Sequence, residues 1–190
     1  VVFLVHGFRS HIGFNFLRSQ RSTGEEKRQY ALYRGSFVEQ LVEIGLAVFG
    51  HDHVGHGKSS GIRAYFDSVD QLVGDALQFV DATVERMKWQ GLPKFLVGHS
   101  LGGSVCILCI RQRPEYFAGC VMSSAAVEPP PNMLGLKGKI LSGMSSLLAS
   151  AVPELEVMGL PANERDPELH QLFIGDPLCC PIGVRARVGY

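Results

Sequence analysis

The stretch KFLVGHSLGGSV, residues 94–105, decides the fold of this chain. The apolar run 95–97 predicts a short buried strand, and residues 101–111 have the composition and spacing of a helix. Between them the pentapeptide 98–102, GHSLG, matches the pattern G-x-S-x-G, in which a serine occupies a sharp turn from strand to helix. The pattern alone also occurs by chance in glycine-rich turns. The strand before it and the helix after it favour Ser100 as a nucleophile.

Two backbone N–H groups are the candidate donors to an oxyanion beside Ser100. One belongs to Leu101, at the start of the helix that follows the serine. The other belongs to Phe8, because VVFLVHGF places His6 and Gly7 directly after the first strand. We interpret His6 as a residue that shapes this loop by hydrogen bonding and not as a general base. Three further residues are predicted to have a structural role next to the site: Gly98, His99 and Gly102.

Short apolar runs alternate with longer helical patterns along the chain, which is typical of a parallel sheet with crossover helices. The predicted strands are Val1–Val5, Ala47–Gly50, Phe95–Val97 and Ala118–Ser123, and the predicted helices are Ser36–Ile44, Val69–Trp89 and Leu101–Arg111. In the second helix one face is predicted to be apolar: Leu72, Ala76, Phe79, Val80, Thr83 and Met87. After the break EPPPN at 128–132, residues 133–152 are predicted to be helical and residues 153–190 irregular.

The motif HDHVGHGKSSG, residues 51–61, invites a metal interpretation because histidines and an aspartate stand close together. Its glycines instead indicate a tight loop after the second strand, and no further ligand has suitable spacing. We predict no metal and no cofactor. Asp52 and His53 are expected to brace this loop near the site by hydrogen bonding.

Composition excludes several classes of protein. The 190 residues are enough for one domain, and 18 basic against 18 acidic side chains give no long-range attraction to nucleic acid. Five cysteines without framework spacing argue against a disulfide scaffold and fit a reducing compartment. Cys106 and Cys109 form a C-x-x-C pair inside an apolar helical run, so they are expected to be buried core residues.

Three segments together resemble the monoacylglycerol lipases of the α/β-hydrolase superfamily, of the serine aminopeptidase S33 type: VFGHDHVGHGKSSGIRAYFDS, FLVGHSLGGSV and RPEYFAGCVMSSA. The resemblance implies a serine esterase that hydrolyses monoacylglycerol to glycerol and fatty acid through an acyl-enzyme on Ser100. It further implies an α/β-hydrolase core at residues 1–126, with an insertion at 9–35, and a cap over the site at residues 127–190.

The expected partner is a lipid ester, and the expected location is cytoplasmic with possible peripheral membrane contact through the cap. An apolar set in the cap is equally suited to a lipid surface and to packing on the core: Leu134, Leu136, Ile140, Leu141, Met144, Leu147 and Leu148.

The chain departs from the family pattern in two places. Arg9 stands where the H-G-x-G-E-H-like loop has its second glycine, and about twenty extra residues, expected to be a disordered loop or an error of gene modelling, follow before Phe37. The triad order in this fold is Ser, Asp, His, and we expect the triad Asp and His to be absent because the chain stops within the cap. Asp166, His170 and Asp176 resemble cap positions. The 190 residues alone are therefore expected to have little activity.

Two alternatives stay open. The first is another serine hydrolase, such as a lysophospholipase, thioesterase or peptidase, since the cap and not the nucleophile selects the substrate. The second is a catalytically dead truncated isoform that acts as a binding protein.

Overall fold

The computed structural model describes residues 1–20, 29–127, 150–159 and 165–188. Their helices and strands follow the chain in this order: β1 (Val2–Val5), α1 (Ile12–Phe16), β2 (Arg18–Gln20), β3 (Gln29–Leu32), α2 (Phe37–Glu43), β4 (Val48–Gly50), α3 (Val69–Met87), β5 (Phe95–His99), α4 (Leu101–Gln112), β6 (Gly119–Ser123), β7 (Glu156–Met158), α5 (Pro167–Gly175) and β8 (Val184–Arg185).

Four of these strands form a parallel sheet in the order β4-β1-β5-β6. In its register Val2 lies opposite both Val48 and Phe95, and Phe95 lies opposite Gly119. All four predicted strands are confirmed, with β5 running two residues further than expected, to His99. Parallel strands joined by helices confirm the predicted fold class.

The core lies on both faces of β1, because alternate side chains of a strand point to opposite faces. Phe3 and Val5 pack with α3 and α4, whereas Val2 and Leu4 pack with Phe16 and the partly buried residues of α2. The buried β1 is therefore the centre of the described structure.

Helix α3 begins at Ser68, whose side chain accepts a hydrogen bond from the N–H of Gln71, and ends at Lys88 in the left-handed conformation. Four members of the predicted apolar face are buried, namely Leu72, Ala76, Val80 and Thr83, and Phe79 packs against the core while partly buried. Met87, predicted on the same face, is the last residue of the helix, and its side chain is 40% exposed.

Helix α4 carries the C-x-x-C pair, and both cysteines are buried free thiols. Burial raises the pKa of Cys109 to about 11, so this thiol is a poor nucleophile at neutral pH. The pair is part of the core, as predicted.

The expectation of a disordered loop within residues 9–35 is wrong for the described part of that segment. Helix α1 lies directly after the loop that follows β1, and β2 pairs antiparallel with β3, Arg18 opposite Leu32. The hairpin packs closely on α1: a Cβ added to Gly13 would lie only 2.8 Å from the Cβ of Ala31.

The prediction of irregular structure for residues 153–190 is also wrong in its described part. Helix α5 is capped by Asp166, which accepts a hydrogen bond from the N–H of Leu169, and β7 pairs antiparallel with β8. The predicted helix at 133–152 lies outside the described residues except for its last three. The division between core and cap at residue 127 stays a prediction.

Among the described residues no helix is both long and apolar enough to cross a bilayer.

Candidate active site

Ser100 occupies a sharp turn between β5 and α4. Its backbone has φ 53° and ψ −121°, a strained conformation for a residue with a side chain. The turn is held by its own hydrogen bonds: the N–H of Ser100 donates to the carbonyl of Ser123 at 2.9 Å, and its carbonyl accepts from the N–H of Gly103 at 2.9 Å. Strain of this kind persists only where the surrounding structure enforces it.

The two glycines of the motif are required by close backbone approach. A Cβ on Gly98 would lie 2.5 Å from the carbonyl oxygen of Gly102, and a Cβ on Gly102 would lie 2.1 Å from the carbonyl oxygen of Val5. Helix α4 therefore starts in direct backbone contact with the end of β1. This contact brings Ser100 beside the loop that follows β1.

That loop offers one backbone N–H to the site. The N–H of Gly7 donates to Oδ1 of Asn15 at 2.8 Å and is thereby occupied. The N–H groups of Phe8 and of Leu101 donate no hydrogen bond to any other described residue. Within the described part of the chain, the two predicted oxyanion donors therefore have no hydrogen-bond acceptor.

A cavity of about 160 Å³ opens over Ser100. It is lined by residues of β1, α1, β5 and α5 or the loops after them: Gly7, Phe8, Ser10, Phe14, Asn15, His99, Ser100 and Phe173. The rings of Phe14 and Phe173 meet edge to face with their centroids 5.7 Å apart. Three aromatic rings and a hydroxyl nucleophile thus share one cavity.

Beneath the cavity, His6 and His53 form a buried pair. The N–H of His53 donates to Nε2 of His6 at 2.8 Å, so the ring proton of His6 is on Nδ1, 2.8 Å from the carbonyl of Gly7. Nε2 of His53 in turn donates to the carbonyl of His6 at 3.1 Å. Both rings are fully buried.

This environment keeps both imidazoles neutral. Burial, together with the neighbouring His53 ring, holds the pKa of His6 well below its usual value. Burial, with smaller contributions from His51 and His56, lowers the pKa of His53 to about 3. A ring that is locked by its hydrogen bonds in this way fixes the loop and is not available as a base.

Asp52 joins the loop 51–61 to α1. Its Oδ1 accepts from the N–H of Ile12 at 2.9 Å and its Oδ2 from the N–H of Lys58 at 2.8 Å. Gly57 has φ +51°, and a Cβ there would collide with the Asp52 carboxylate at 2.1 Å. The glycine is needed so that the loop can close around Asp52.

Comparisons with known proteins identify the family and the fold of this chain. Residues 27–190 match the sequence profile of the family described as serine aminopeptidase, S33. The chain belongs to this family.

Among its relatives, human monoglyceride lipase is 32% identical over 185 residues, which cover 92% of this chain and 59% of the human protein. The monoacylglycerol lipase of Mycolicibacterium smegmatis is 26% identical over 196 residues, which cover 100% of this chain and 61% of that protein. The chain thus spans about three fifths of the length of these S33 relatives.

A crystal structure of the monoacylglycerol lipase from Paleococcus ferrophilus superimposes with a TM-score of 0.69 at 28% identity, covering 99% of this chain and 62% of that one. The monoglyceride lipase of Saccharomyces cerevisiae superimposes with the same TM-score at 22% identity. The α/β-hydrolase fold predicted for this S33 member is confirmed.

Within the described residues, the cavity over Ser100 is lined by no carboxylate, and its histidine is His99. Burial lowers the pKa of His99, although its ring also donates a hydrogen bond to the backbone of Ser123, which acts in the opposite direction. Asp166 caps α5, and Asp176 lies against His11. None of these groups is assigned to a triad.

Sequence reasoning missed five residues around the site. Ser10 lines the cavity from the loop after β1. Phe14, Asn15 and Phe173 also line it, and their positions depend on α1 and α5, which were not predicted. His11 gave a signal: it occupies the last position of the H-G-x-G-E-H-like loop. In the structure it forms a buried cluster with Asp176 and Cys179, whose ligating atoms lie within 4.8 Å of one another.

This cluster has the residue types of a metal site, but its polar atoms already satisfy each other. Nε2 of His11 donates to Oδ2 of Asp176 at 3.0 Å, and Oδ1 of Asp176 accepts from the N–H of Leu178 at 2.9 Å. Burial raises the pKa of Cys179, so its thiol is protonated at neutral pH. The arrangement is that of a hydrogen-bonded His–Asp pair packed beside a thiol.

Proposed function

We propose that this chain carries the nucleophile of a serine hydrolase that cleaves carboxylic esters of lipids, with monoacylglycerol as the first substrate. The observation that carries the proposal is the strained turn at Ser100, which lines a cavity together with Phe8 and is followed directly by Leu101 at the start of α4. The N–H groups of Phe8 and Leu101 donate to no other described residue. The relatives named monoglyceride lipase support the substrate class.

In the proposed reaction Oγ of Ser100 attacks the ester carbonyl, and the carbonyl oxygen becomes an oxyanion held by the N–H groups of Phe8 and Leu101. Collapse of this intermediate breaks the bond to the alcohol oxygen. Glycerol leaves with the proton that Ser100 lost, and the acyl group stays on the serine. Water then hydrolyses the acyl-enzyme to a fatty acid. We assign the acid and base of this cycle to no residue among the 190.

The cavity over Ser100 is mixed in character. Phe8, Phe14 and Phe173 offer apolar rings to an acyl chain, and the polar side chains of Ser10, Asn15 and His99 stand beside them and suit the polar ester and glycerol groups. The cap segment expected to touch lipid, residues 133–148, lies outside the described residues. Contact with a membrane and a cytoplasmic location therefore remain parts of the proposal.

The test uses the full-length gene product, a fluorophosphonate probe and 2-oleoylglycerol. We expect covalent labelling and fatty-acid release, both abolished in Ser100→Ala. Ser104→Ala is the matched control, since its Oγ donates to the carbonyl of Ala126 and takes no part in the chemistry. Unlabelled wild-type protein that still binds fatty acid would instead favour the binding-protein alternative.

The substrate class is separated by a panel of monoacylglycerol, lysophosphatidylcholine, acyl-coenzyme A and an amide peptide. We expect kcat/KM to be highest for the monoacylglycerol. A higher value for the thioester or the peptide contradicts the proposed substrate. For the 190 residues alone we expect almost no turnover.

A further inference from the structure

The loop that carries Phe8 is held by a segment far away in sequence. We call residues 7–11 the oxyanion loop and residues 176–182 the anchor segment. Three contacts join them: the N–H of Cys180 donates to the carbonyl of Arg9 at 2.8 Å, Nη1 of Arg9 donates to the carbonyl of Ile182 at 2.8 Å, and His11 donates to Asp176 at 3.0 Å.

Arg9 shows why the loop needs this support. Its φ is 61°, in the left-handed region that residues with a side chain avoid. Both its carbonyl and its guanidinium are bound by the anchor segment, so the contacts oppose the return of Arg9 to an extended conformation. Arg9 directly follows Phe8, which lines the cavity over Ser100, so a change in the backbone of Arg9 would alter the path of the loop that carries the Phe8 N–H.

The hydrogen bond between His11 and Asp176 is the buried part of this connection. His11 and Asp176 are each 3% exposed. Removing one partner of a buried pair leaves the other without compensation, which costs more than the loss of a surface pair. If Asp176 is changed, water cannot replace the partner that His11 loses, so the oxyanion loop itself has to shift.

We propose that the anchor segment fixes the position of the Phe8 oxyanion donor and that Asp176 is a positioning residue for ester hydrolysis. This inference rests on the proposed function. It assigns to one stretch of the cap region a task in transition-state stabilisation, separate from covering the site.

An oxyanion donor acts on the transition state and not on the bound ester. Its displacement therefore lowers kcat and leaves KM nearly unchanged. Loss of a donor lowers kcat by about 10²- to 10³-fold, and displacement is expected to lower it by about tenfold or more. A purely structural role would lower the amount of folded enzyme without this division between kcat and KM.

The experiment compares Asp176→Asn and His11→Gln with Val84→Ala in the full-length protein. Val84 is buried in α3 and is remote in sequence from both the loop and the segment, so its truncation supplies a loss of stability without the contact. With the soluble ester p-nitrophenyl butyrate, both pair variants are expected to lower kcat at least tenfold with KM within twofold. The affinity of a trifluoromethyl ketone inhibitor, which mimics the oxyanion, should fall in proportion.

Hydrogen exchange provides a readout that does not depend on activity. We expect amides 8–11 to exchange at least tenfold faster in Asp176→Asn and to be unchanged in Val84→Ala. Unchanged exchange, or a kcat equal to that of Val84→Ala, overturns the inference. Absence of Ser100 labelling in the wild type overturns the proposed function instead, and the exchange result then still decides whether the anchor segment holds the loop.

Discussion

At the scale of single residues, the histidines beneath the cavity are the most constrained groups. His6 and His53 are held neutral, each by burial and by a hydrogen bond that fixes which nitrogen carries the proton. In the unfolded chain both would titrate near their ordinary pKa of about 6.5. In mildly acidic solution the two imidazoles are therefore protonated in the unfolded chain but neutral in the folded protein.

The consequence is instability in acid. The folded-state pKa of His53 is about 3, so between pH 6.5 and pH 3 the unfolded state binds more protons than the folded state. The free energy of unfolding therefore decreases as the pH is lowered through that window. We expect His53 to contribute a slope of about 1.4 kcal/mol per pH unit and His6 to contribute in the same direction. Urea titrations from pH 6 to 4.5 measure it.

His53→Gln separates this contribution from the rest. The amide of glutamine can donate to the carbonyl of His6 in place of Nε2 but does not titrate. The slope should therefore decrease by about 1.4 kcal/mol per pH unit. An unchanged slope would mean that another group is responsible for the loss of stability in acid.

At the scale of elements, the contact between α4 and β1 sets the position of Ser100, the proposed nucleophile. The backbones touch at Gly102, where a Cβ would meet the carbonyl oxygens of Val5 and His6 at 2.1 and 2.7 Å. No flexible side chain is available to move aside. Any residue larger than glycine must push the helix away from the sheet.

Gly102→Ala is accordingly expected to destabilise the protein by about 3 kcal/mol or more and to reduce labelling of Ser100 by a fluorophosphonate. Gly74→Ala is the matched control: it lies within α3, and nothing stands within 4 Å of its added Cβ. There the same substitution should stabilise by about 1 kcal/mol, because alanine favours the helix. Thermal unfolding of the two variants checks the opposite signs.

The elements that sequence predicted are those with local signals. β1 and β5 are continuous apolar runs, α3 has a clear helical period, and residues 98–102 carry their own turn chemistry. The hairpin β2–β3 gave no such signal, because its strands have three and four residues and are stabilised by packing on α1. Short strands without alternation cannot be distinguished from loops by pattern.

At the scale of the whole molecule, Arg63 joins the α/β core to the chain near its described end. Its Nη1 donates to the carbonyl of Gly57 at 2.9 Å, while Nη2 donates to the carbonyl of Leu178 at 2.7 Å. The guanidinium thus binds both sides of the contact at once. A lysine ammonium has no such planar pair of donors.

Arg63→Lys is expected to loosen residues 176–188 while leaving the sheet intact. Hydrogen exchange should accelerate in that segment and remain slow in α3. Arg113→Lys provides the comparison, since Arg113 binds the carboxylate of Asp81 with two contacts of 2.8 Å and touches no residue of that segment. Equal exchange in both variants would contradict the role of Arg63.

Contacts at this scale explain the limits of sequence reasoning about the site. Roles for Ser100, Leu101 and Phe8 could be predicted from the sequence because each residue belongs to a local motif. The pair of His11 and Asp176 was not, since its members are 165 positions apart and each has an ordinary interpretation by itself. Phe173 reaches the cavity through the placement of α5, which no local pattern fixes.

The first and last residues of the hairpin β2–β3 are neighbours in space, because Arg18 pairs with Leu32. A stretch whose two ends are neighbours can be lengthened, shortened or exchanged without separating α1 from α2. The predicted insertion at residues 9–35 therefore contains a position at which the sequence can change while Ser100 stays in place. For protein engineering, it is the natural point for grafting a foreign loop or a reporter peptide.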